Sequence, residues 1–370
     1  MTGQKTVLIT GGSGFIGTNL VRMFVQGNVY RVVNLDALTY AANPLSLADL
    51  EGNPNYVFLK GNITDRELVL ALLTKYEPVG ILHLAAESHV DRSILNAEDF
   101  IQTNVVGTFS MLEAARTYWN ALSGDQKNVF RFLHVSTDEV FGSLGEEHHF
   151  LEETPYAPNS PYAASKAASD HFVRAFHRTY GLPTITTNCS NNYGPYQFPE
   201  KMLPLMILNA LSGRTLPIYG DGLNIRDWIY VEDHCRALKL VFEKGRPGEV
   251  YLIGANNERK NVELVNQICS ILDEIAPPVE VPQLRERGLK SYSELIQFVT
   301  DRPGHDRRYA INPAKITREL DWQAEVPLEA GLRRTVEWYL SHPKWVDQAS
   351  GGSYREWIEK NYAHRMERSE

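Results

Sequence analysis

The sequence predicts an α/β protein with a doubly wound parallel sheet, followed by a smaller α/β domain. Short apolar runs alternate with longer amphipathic runs in the first half of the chain, and from about residue 190 the segments become rich in Gly, Pro, Asn and aromatic residues. Strands that alternate with helices form parallel sheets, because each crossover helix returns the chain to the same end of the sheet. We expect domains at 1–188 and 189–370, with segments around 226–256 returning to the first.

The elements of the first half follow one another at regular spacing. Strands are predicted at the short apolar runs KTVLIT, YRVVNLD, YVFLKGNI, VGILHLAA, VFRFLHVS and PTITTNCS. Helices are predicted at IGTNLVRMFVQ, DRELVLALLTKY and DFIQTNVVGTFSMLEAARTYW, with Thr64 as the cap of the second. A further helix lies in NSPYAASKAASDHFVRAF, where Asn159 or Ser160 can cap it and Pro161 suits its first turn. The terminal HRMERSE is expected to fray.

Composition and charge exclude several classes of protein. The chain has 370 residues, of which 43% are hydrophobic and 22% charged, as in ordinary globular proteins. Its net charge of -8 gives no basic surface for a nucleic-acid partner, although a few placed cations could still bind an anionic substrate. No apolar run reaches the roughly 18 residues of a membrane span, and MTGQKTVLIT lacks the pattern of a signal peptide. We therefore expect a cytoplasmic protein without a membrane partner.

Cysteine and histidine spacing argues against disulfides and metals. Cys189, Cys235 and Cys269 are widely separated and match neither a disulfide framework nor a CxxC site, so reduced core thiols are expected. The histidines show no ligand spacing, and no metal site is predicted.

A glycine motif directly follows the first predicted strand. In TGGSGFIGTNL, Gly12, Gly14 and Gly17 meet the spacing GxGxxG, which permits a tight turn, close approach of a pyrophosphate and packing of the helix on the strand. Asp36 ends the second strand, where an acid can bind ribose hydroxyls and repel a 2′-phosphate. A glycine-rich turn without a ligand is the alternative. This context predicts a Rossmann-type domain that binds NAD in preference to NADP.

Tyr162 and Lys166 are four residues apart on one predicted helix, so they share a face. A phenol with a pKa near ~10 is too weakly ionised to act as a base at neutral pH, but a neighbouring ammonium and a cationic nicotinamide would lower that pKa. The pair suits removal of a hydroxyl proton while hydride leaves the same carbon. A YxxxK pair is common by chance on solvated helices, and its place after a nucleotide-binding half makes it more specific here.

Two adjacent acids, Asp138 and Glu139, follow Ser136 and Thr137 at the end of a predicted buried strand. A helix-capping Asp beside an exposed Glu would explain them structurally. A catalytic use is the alternative, and it depends on the rest of the chain.

These features resemble the short-chain dehydrogenase/reductase superfamily, in its extended branch that modifies sugar nucleotides. A longer set of segments looks like the dTDP-glucose 4,6-dehydratase family of that branch: TGGSGFIG, LDALTYAAN, LAAESHVDRS, TNVVGT, VSTDEVFG, SPYAASKAASD, NCSNNYGPYQFPEK, RDWIYVEDH and DRPGHDRRYAI. They run from residue 10 to residue 311, and the TDE triplet is the most specific. Epimerases and decarboxylases of the same branch generally lack this acid pair.

The resemblance implies a lyase with a catalytic group of Thr137, Asp138, Glu139, Tyr162 and Lys166. Tyr162, helped by Lys166 and Thr137, would take the C4 hydroxyl proton as hydride passes to NAD. The 4-ketone acidifies the C5 proton, which Glu139 would remove, while Asp138 would protonate the departing C6 hydroxyl. Hydride would return to C6 and a proton to C5, giving a 4-keto-6-deoxy sugar nucleotide for deoxysugar synthesis, for example of rhamnose type. Because Asp138 must start protonated, we expect burial or Glu139 to raise its pKa.

The NAD contacts implied by the resemblance lie mostly in loops after the predicted strands. They are Gly11, Gly14, Phe15, Ile16, Gly17, Asp36, Leu38, Thr39, Asn62, Ile63, Leu84, Ala85, Ala86, Ser88, Thr103, Tyr162, Lys166 and Asn192. The chain departs from the family at Asn62, where an aspartate near the adenine is usual. We expect the asparagine carbonyl to accept a hydrogen bond from the adenine amino group, with weaker charge assistance and retained binding.

The implied contacts to the substrate, dTDP-glucose, lie mainly in the second half. They are Ser88, Thr137, Asn191, Lys201, Met202, Pro217, Tyr219, Arg226, Asn261, Asp301 and His305. Arg226 and Lys201 would lie near the phosphates and sugar. Tyr219 would pack on the base, and the segment 301–305 would close over the nucleotide. Arg226 next to Asp227 could equally be an ion pair.

Three alternatives remain open on sequence alone. A 4-epimerase needs only Tyr162, Lys166 and NAD, so the acid pair counts against it. A dehydratase that acts on UDP-glucose differs by one methyl group on the base, for which the sequence shows no decisive residue. A redox-sensing module that merely binds NAD(P) would not need the whole catalytic set.

Oligomeric state is inferred from the resemblance. Relatives generally form homodimers through two long helices per subunit. The helical stretches 100–119 and 163–180 are long and apolar enough to form such a four-helix bundle, and packing within the subunit is the competing use of their faces.

Overall fold

The computed structural model describes residues 4–351, 354, 356–358 and 361 of the chain, so the segment HRMERSE lies outside the described residues. The strands are β1 Lys5–Thr10, β2 Tyr30–Asp36, β3 Tyr56–Lys60, β4 Gly80–His83, β5 Arg131–Thr137, β6 Thr184–Cys189, β7 Asn191–Tyr193, β8 Leu216–Tyr219, β9 Ile225–Tyr230, β10 Val250–Ile253, β11 Glu258–Lys260 and β12 Ile296–Val299. The helices are α1 Phe15–Gln26, α2 Arg66–Tyr76, α3 Val90–Leu95, α4 Glu98–Phe100, α5 Thr108–Ala121, α6 Gly124–Val129, α7 Pro161–Tyr180, α8 Met202–Leu211, α9 Val231–Lys244, α10 Asn261–Ile275, α11 Pro282–Glu286, α12 Ala314–Leu320, α13 Leu328–Ser341 and α14 Pro343–Ala349.

Seven parallel strands of the described chain form the main sheet, in the order β10-β6-β5-β4-β1-β2-β3. The central strands are almost entirely buried, as expected for parallel strands that helices cover on both faces. The predicted doubly wound α/β fold is therefore confirmed, and all six strands predicted in the first half are present. The seventh, β10, comes from the second half and pairs with β6.

Two apolar layers cover the sheet. Helices α1 and α9 pack on one face, through residues such as Phe24 and Val241. Helices α2, α5 and α7 pack on the other, through residues such as Leu73 and Met111. Since β1 lies between β2 and β4, the chain turns in opposite directions on leaving β1 and on entering β4, and a crevice forms where the order reverses.

The second half of the chain has a core of its own. Helices α8, α10 and α13 pack around β8 and β9, and the short sheets β11-β9-β7 and β12-β8 lie beside them. Cys189, Cys235 and Cys269 are buried free thiols, as expected. None of the described helices is both long enough and apolar enough to cross a bilayer.

The long helix predicted after β4 is interrupted by a π-helical segment, Ile101–Gly107, between α4 and α5. The wider turn directs Asn104 inward, where its side chain bonds the backbone N–H and C=O of Glu87 at 2.8 and 3.0 Å and the Ser165 hydroxyl at 2.8 Å. Such π turns occur often at functional sites. This one ties the loop after β4 to α7.

The structure shows which residues cap the N-termini of α2 and α7. Asp65, and not Thr64, caps α2, because its carboxylate accepts the Leu68 N–H at 3.0 Å. The prediction for Thr64 was wrong by one residue. Of the two candidates at α7, Ser160 is the cap and accepts the Ala163 N–H at 3.0 Å.

Candidate active site

A cleft opens at the carboxyl ends of the main-sheet strands, beside the point where the strand order reverses. Its walls begin with the residues that directly follow the strands: Gly11 after β1, Ala37 after β2, Gly61 after β3, Leu84 after β4, Asp138 after β5 and Ser190 after β6. Gln197, Phe198, Glu200 and Lys201 of the second half complete it. Open parallel sheets bind their ligands at this position.

The cleft gathers most of the predicted NAD contacts and only some of the predicted substrate contacts. Every predicted NAD contact except Leu38 lines it, and so do Ser88, Thr137, Asn191 and Lys201 from the substrate set. The substrate residues placed elsewhere are Met202, Pro217, Tyr219, Arg226, Asn261, Asp301 and His305. The binding roles of both sets stay predictions.

The glycine loop leaves the first turn of α1 open to an anion. A Cβ atom on Gly11, where φ is +70°, would lie 2.7 Å from the backbone of Ala85. On Gly17 it would lie 2.0 Å from the Gly11 carbonyl oxygen, so neither position has room for a side chain. Gly14 is the N-cap of α1 and provides no side-chain cap. The positive end of the helix is therefore free to bind a pyrophosphate.

Asp36 ends β2 at the far side of this loop. Its carboxylate accepts the Ser13 N–H at 2.9 Å and the Leu38 N–H at 2.8 Å. Burial raises the pKa of Asp36, and these two backbone hydrogen bonds oppose that shift. Leu38, at φ +53°, thus contributes its N–H to the loop while its side chain stays off the wall of the cleft. Each carboxylate oxygen keeps a lone pair for a ribose hydroxyl, which fits NAD.

Thr64 sets the orientation of the Asn62 side chain. Its carbonyl oxygen accepts both the backbone N–H and the hydroxyl of Thr64, each at 3.0 Å. A backbone N–H can only donate, so the amide orientation is fixed and the NH₂ group is the end left over. Both hydrogen bonds use this carbonyl within the protein, and the expected contact of Asn62 with the adenine amino group stays a prediction.

The acid pair lies in a 3-10 turn, Asp138–Phe141, directly after β5. Thr137 caps this turn by accepting the Glu139 N–H at 3.3 Å, so the explanation of Asp138 as a capping residue was wrong. Asp138 is 1% exposed, and its Oδ2 atom is buried without a hydrogen-bond partner among the described residues. Burial, and then the charge of Glu139, raise the pKa of Asp138 well above its usual value. The expected raised pKa is present.

Glu139 has different surroundings. Burial raises its pKa, while the positive charges of Arg302, Arg226 and Lys201 lower it. The chain thus surrounds Glu139 with cations and leaves an oxygen of Asp138 unpaired. This is how two neighbouring carboxyl groups acquire different proton affinities.

Tyr162 and Lys166 lie on α7 beside the acid pair and line the same cleft. The Lys166 ammonium donates to the Val135 carbonyl at 2.9 Å, and the Tyr162 phenol is hydrogen-bonded to Thr137. Burial, followed by the charge of Glu139, raises the pKa of Tyr162 well above 10. The lowering expected from Lys166 together with a cationic nicotinamide stays a prediction, because it depends on the bound cofactor.

Arg226 is not the ion-pair partner of Asp227. The two face opposite sides of β9, as successive strand residues do. The Arg226 guanidinium donates to the Asp306 carbonyl at 2.9 Å and lies 4.1 Å from the ring centre of Tyr309. The Asp227 carboxylate accepts backbone N–H groups, including that of Asn257 at 2.6 Å. Arg226 is thereby free to act on the acid pair by its charge, which lowers the pKa of both acids.

Three predicted substrate residues lie in a cluster around Asp91. Tyr219 donates its hydroxyl to Asp91 at 2.8 Å, and Arg302 binds the other oxygen at 3.2 Å. His305 bonds Asp301 at 2.7 Å and meets the Tyr219 ring edge-on. This cluster reaches the acid pair through Arg302, whose charge acts on Glu139. The sequence does not indicate these contacts, because they join segments that are far apart in the chain.

Several residues that line the cleft were missed by the sequence analysis. They include Glu87, Ser136, Cys189, Ser190, Gln197, Phe198 and Glu200. Burial raises the pKa of Glu87 to about 7, and it is hydrogen-bonded to Tyr40. Its position at the carboxyl end of β4 was the available signal, since it directly precedes Ser88.

Comparison with known proteins places this arrangement in a family. A family model described as GDP-mannose 4,6 dehydratase matches residues 8–335. The "dTDP-glucose 4,6-dehydratase 1" of Escherichia coli (strain K12) is 55% identical over 369 residues, which cover 97% of this chain and 99% of that protein. The chain belongs to the dTDP-glucose 4,6-dehydratase family. The resemblance inferred from sequence is confirmed.

Two solved structures of dTDP-glucose 4,6-dehydratases share the fold. The enzyme from Bacillus anthracis str. Ames, in complex with NAD, is 45% identical with a TM-score of 0.80 and covers 92% of this chain and 98% of its own. DesIV from Streptomyces venezuelae, with NAD and TYD bound, is 44% identical with the same TM-score and the same coverage. Among the described residues of this dehydratase-family chain, no group of three or more His, Cys, Asp or Glu is placed to hold a metal ion.

Proposed function

We propose that the protein is an NAD-dependent dTDP-glucose 4,6-dehydratase, a hydro-lyase that converts dTDP-glucose to dTDP-4-keto-6-deoxy-glucose and water. The observation that carries this function is the buried carboxyl of Asp138, whose Oδ2 atom has no hydrogen-bond partner among the described residues, beside Glu139 and Tyr162 in a cleft whose far wall is a glycine loop. The product would supply deoxysugar nucleotide synthesis.

NAD binding is supported by the loop that crowds any side chain at Gly11 and Gly17 and by the two-oxygen acceptor of Asp36. When bound, NAD supplies a hydride acceptor for C4 and a hydride donor for C6. The protein holds this group at the carboxyl ends of its strands, next to the side chains that move protons.

Tyr162 takes the proton of the C4 hydroxyl in the first step. Thr137 holds its phenol, and Lys166 is fixed against β5 one helical turn away. Because burial and Glu139 raise the pKa of Tyr162 in the protein alone, the proton transfer requires a positive charge brought by the bound cofactor.

Glu139 and Asp138 carry the elimination in the second step. Glu139, surrounded by cations, is the ionised group that removes the C5 proton once C4 is a ketone. Asp138, protonated because it is buried and faces Glu139, gives its proton to the C6 hydroxyl, which leaves as water. Each positioned proton transfer is typically worth about 10²–10⁴-fold in rate.

The protein is further proposed to be a cytoplasmic homodimer. Large apolar residues are exposed along the π segment, α5 and α7, with Phe109 at 42% and Phe172 at 38%, and their rings lie 5.8 Å apart. A continuous apolar face of this kind suits a four-helix bundle with a second copy. Sedimentation should show a dimer that Phe109→Glu dissociates, whereas Val279→Glu, 64% exposed elsewhere, should not.

The proposed division into domains is 1–188 for NAD and 189–370 for the sugar nucleotide, with segments around 226–256 returning to the first. The packing of α9 and β10 with the main sheet supports this division.

The function is tested by incubating the purified protein with dTDP-glucose and no added cofactor, then adding alkali and reading the absorbance of the 4-keto-6-deoxy product. UDP-glucose is run in parallel. Signal with dTDP-glucose alone is expected. Equal product absorbance with dTDP-glucose and UDP-glucose would assign the activity to a less selective dehydratase. No product absorbance with dTDP-glucose, even after NAD is added, would contradict the function.

A further inference from the structure

Asp170 is a buried carboxylate on the catalytic helix that the mechanism above does not use. It follows Tyr162 by eight residues and Lys166 by four on α7, so the three side chains lie along one face of the helix. Asp170 is 4% exposed. A buried acid is costly unless hydrogen bonds and a nearby positive charge compensate it, so its partners show what it does there.

Three donors converge on this carboxylate from three parts of the fold. His134 of β5 donates through Nε2 at 3.1 Å, the Tyr156 hydroxyl donates at 2.9 Å, and Asn188 of β6 donates through Nδ2 at 3.1 Å. None of the three supplies a charge, because burial lowers the pKa of His134 to about 4. The hydrogen bonds fix the position of the carboxylate without neutralising it.

Lys166 adds a compensating charge. Burial raises the pKa of Asp170, but its hydrogen bond and electrostatic interaction with His134, and then the charge of Lys166, outweigh burial and lower that pKa below its ordinary value, which favours the ionised carboxylate. The effect is mutual: burial lowers the pKa of Lys166, and the charge of Asp170 raises it. Ammonium and carboxylate thus act on each other across one helical turn, while the ammonium itself donates to the Val135 carbonyl.

Asn188 connects the same carboxylate to the catalytic threonine. Its NH₂ group donates one hydrogen bond to Asp170 and the other to the Thr137 backbone carbonyl at 3.0 Å. The end of β5, where the acid pair begins, is therefore held in place by the network around Asp170.

We propose that Asp170 is a positioning residue that keeps Lys166 protonated in a buried site and fixes Thr137 through Asn188. This inference rests on the proposed function, because it concerns the same proton transfer at Tyr162. It assigns to Asp170 no contact with substrate or cofactor.

Tyr162 of the same helix and the acid pair after β5 also line this cleft, but Asp170 is the first group whose charge raises the pKa of Lys166, followed by Cys189. The remaining neighbours on β4, β5 and β6 are neutral. His83 of β4 and His134 of β5 have pKa values lowered by burial, and their charged forms would repel the ammonium. Burial raises the pKa of Cys189 of β6 to about 12, and that of Tyr156 above its usual value. Asp170 is therefore the acid that sets the charge state of Lys166.

The test compares the pH dependence of the C4 oxidation rate, followed by stopped-flow absorbance of the reduced cofactor, for the wild type and for Asp170→Asn with dTDP-glucose. This step is chosen because the later elimination needs the proton of Asp138, whose loss would set the alkaline limb of kcat. Without the carboxylate, the pKa of Lys166 falls further, so the ammonium is lost at lower pH. The alkaline limb of the profile should move down by about one pH unit or more. Tyr156→Phe is the matched control, since it removes one hydrogen bond and leaves the charge. It should lower Tm without moving the limb.

The outcomes separate this proposal from the proposed function. Turnover by the wild type tests the function, and only the difference between wild type and variant tests Asp170. An unmoved limb in a folded Asp170→Asn variant overturns the proposal, and so does an equal shift in Tyr156→Phe. Asp170→Ser, which leaves room for water beside Asn188, carries the same prediction if Asp170→Asn does not fold. Failure of both neutral variants to fold would assign Asp170 to folding alone and also overturn the proposal.

Discussion

The two walls of the cleft hold their polar groups in different ways. The wall formed by the loops after β1 to β4 offers glycines, backbone N–H groups and the N-terminus of α1, with Asp36 at its far side. The opposite wall carries side-chain charges that are largely buried, including Asp138, Glu139 and Lys201, with Arg226 behind them. The first, the backbone wall, is suited to binding a ligand through main-chain N–H groups. The second, the charged wall, is suited to moving protons.

This difference follows from what each task requires. A pyrophosphate is bound by backbone groups whose position is set by one local turn. Proton transfer needs side chains whose pKa values are shifted, which requires burial and charges brought from distant segments. The guanidinium of Arg226 is held by a carbonyl 80 residues further along, that of Asp306. Substitutions in the first wall should therefore reduce the content of bound cofactor, and substitutions in the second should reduce kcat.

The largest effect is expected at the charged wall, for Asp138→Asn. An amide cannot give its proton to a departing hydroxyl, so kcat should fall by about 10²–10⁴-fold, while C4 oxidation still reduces the bound cofactor. Stopped-flow absorbance should show reduced cofactor that persists. Glu146→Gln, on an exposed loop nearby, should leave kcat and the reduced-cofactor signal unchanged. More than a tenth of wild-type turnover in Asp138→Asn would contradict the role of this acid.

The backbone wall should fail differently, as Gly11→Ala would show. The new Cβ would lie 2.7 Å from the backbone of Ala85 at φ +70°, so both NAD content and Tm should fall. Gly52→Ala is the control, because Gly52 has φ +81° and open space around it. That change should cost only the backbone strain of about 1–2 kcal/mol. Equal losses of Tm in the two variants would show that crowding at the loop is unimportant.

A third prediction concerns Glu87, which lies where the two walls meet. Burial raises its pKa to about 7 in the folded protein, against an ordinary value of 4.5. A raised pKa gives stability that is fully present below pH 4.5 and is lost as pH rises through 7, by roughly 1–3 kcal/mol. Urea unfolding at pH 5 and pH 8 should show this loss, and Glu87→Gln should reduce it. Glu51→Gln, at an exposed position, should leave the loss of stability between pH 5 and pH 8 unchanged. The same unchanged loss in Glu87→Gln would contradict the raised pKa of Glu87.

The smallest effect is expected for Asn62→Asp. Its inner oxygen would keep the hydrogen bonds from Thr64, and the outer atom would change from a donor to an acceptor that suits the adenine amino group. Calorimetry on NAD-free protein should show a gain in NAD affinity of about 2–5-fold with no change in kcat. Thr64→Val, which removes one of the two donors, is the matched control and should change affinity less. Weaker NAD binding by Asn62→Asp would reject this orientation.

The backbone wall was more predictable from sequence than the charged one. Residues such as Gly11, Asp36 and Ala85 lie at or just after the ends of recognisable strands, and parallel strands bring their carboxyl ends together. Leu38, at φ +53°, is an exception because it does not line the cleft. The contacts of Tyr219 and His305 were not predictable, since Tyr219 bonds Asp91, 128 residues away, and His305 meets the Tyr219 ring from another distant segment.

Local irregularity was the other limit. A π turn such as Ile101–Gly107 leaves no mark in the apolar periodicity, so the inward position of Asn104 could not be foreseen. The cap of α2 was misplaced by one residue for a related reason. Thr64 and Asp65 are both good caps by type, and the hydrogen bond of Thr64 to Asn62 decides between them.

The central claim is that one wall holds the redox cofactor while the acid pair of the other eliminates water. It is tested most directly with dTDP-glucose deuterated at C4, by locating the label in the product by NMR. The account predicts deuterium at C6 and a solvent hydrogen at C5, because hydride returns within the same site after Glu139 and Asp138 have acted. Deuterium retained at C4, without loss of water, would contradict it.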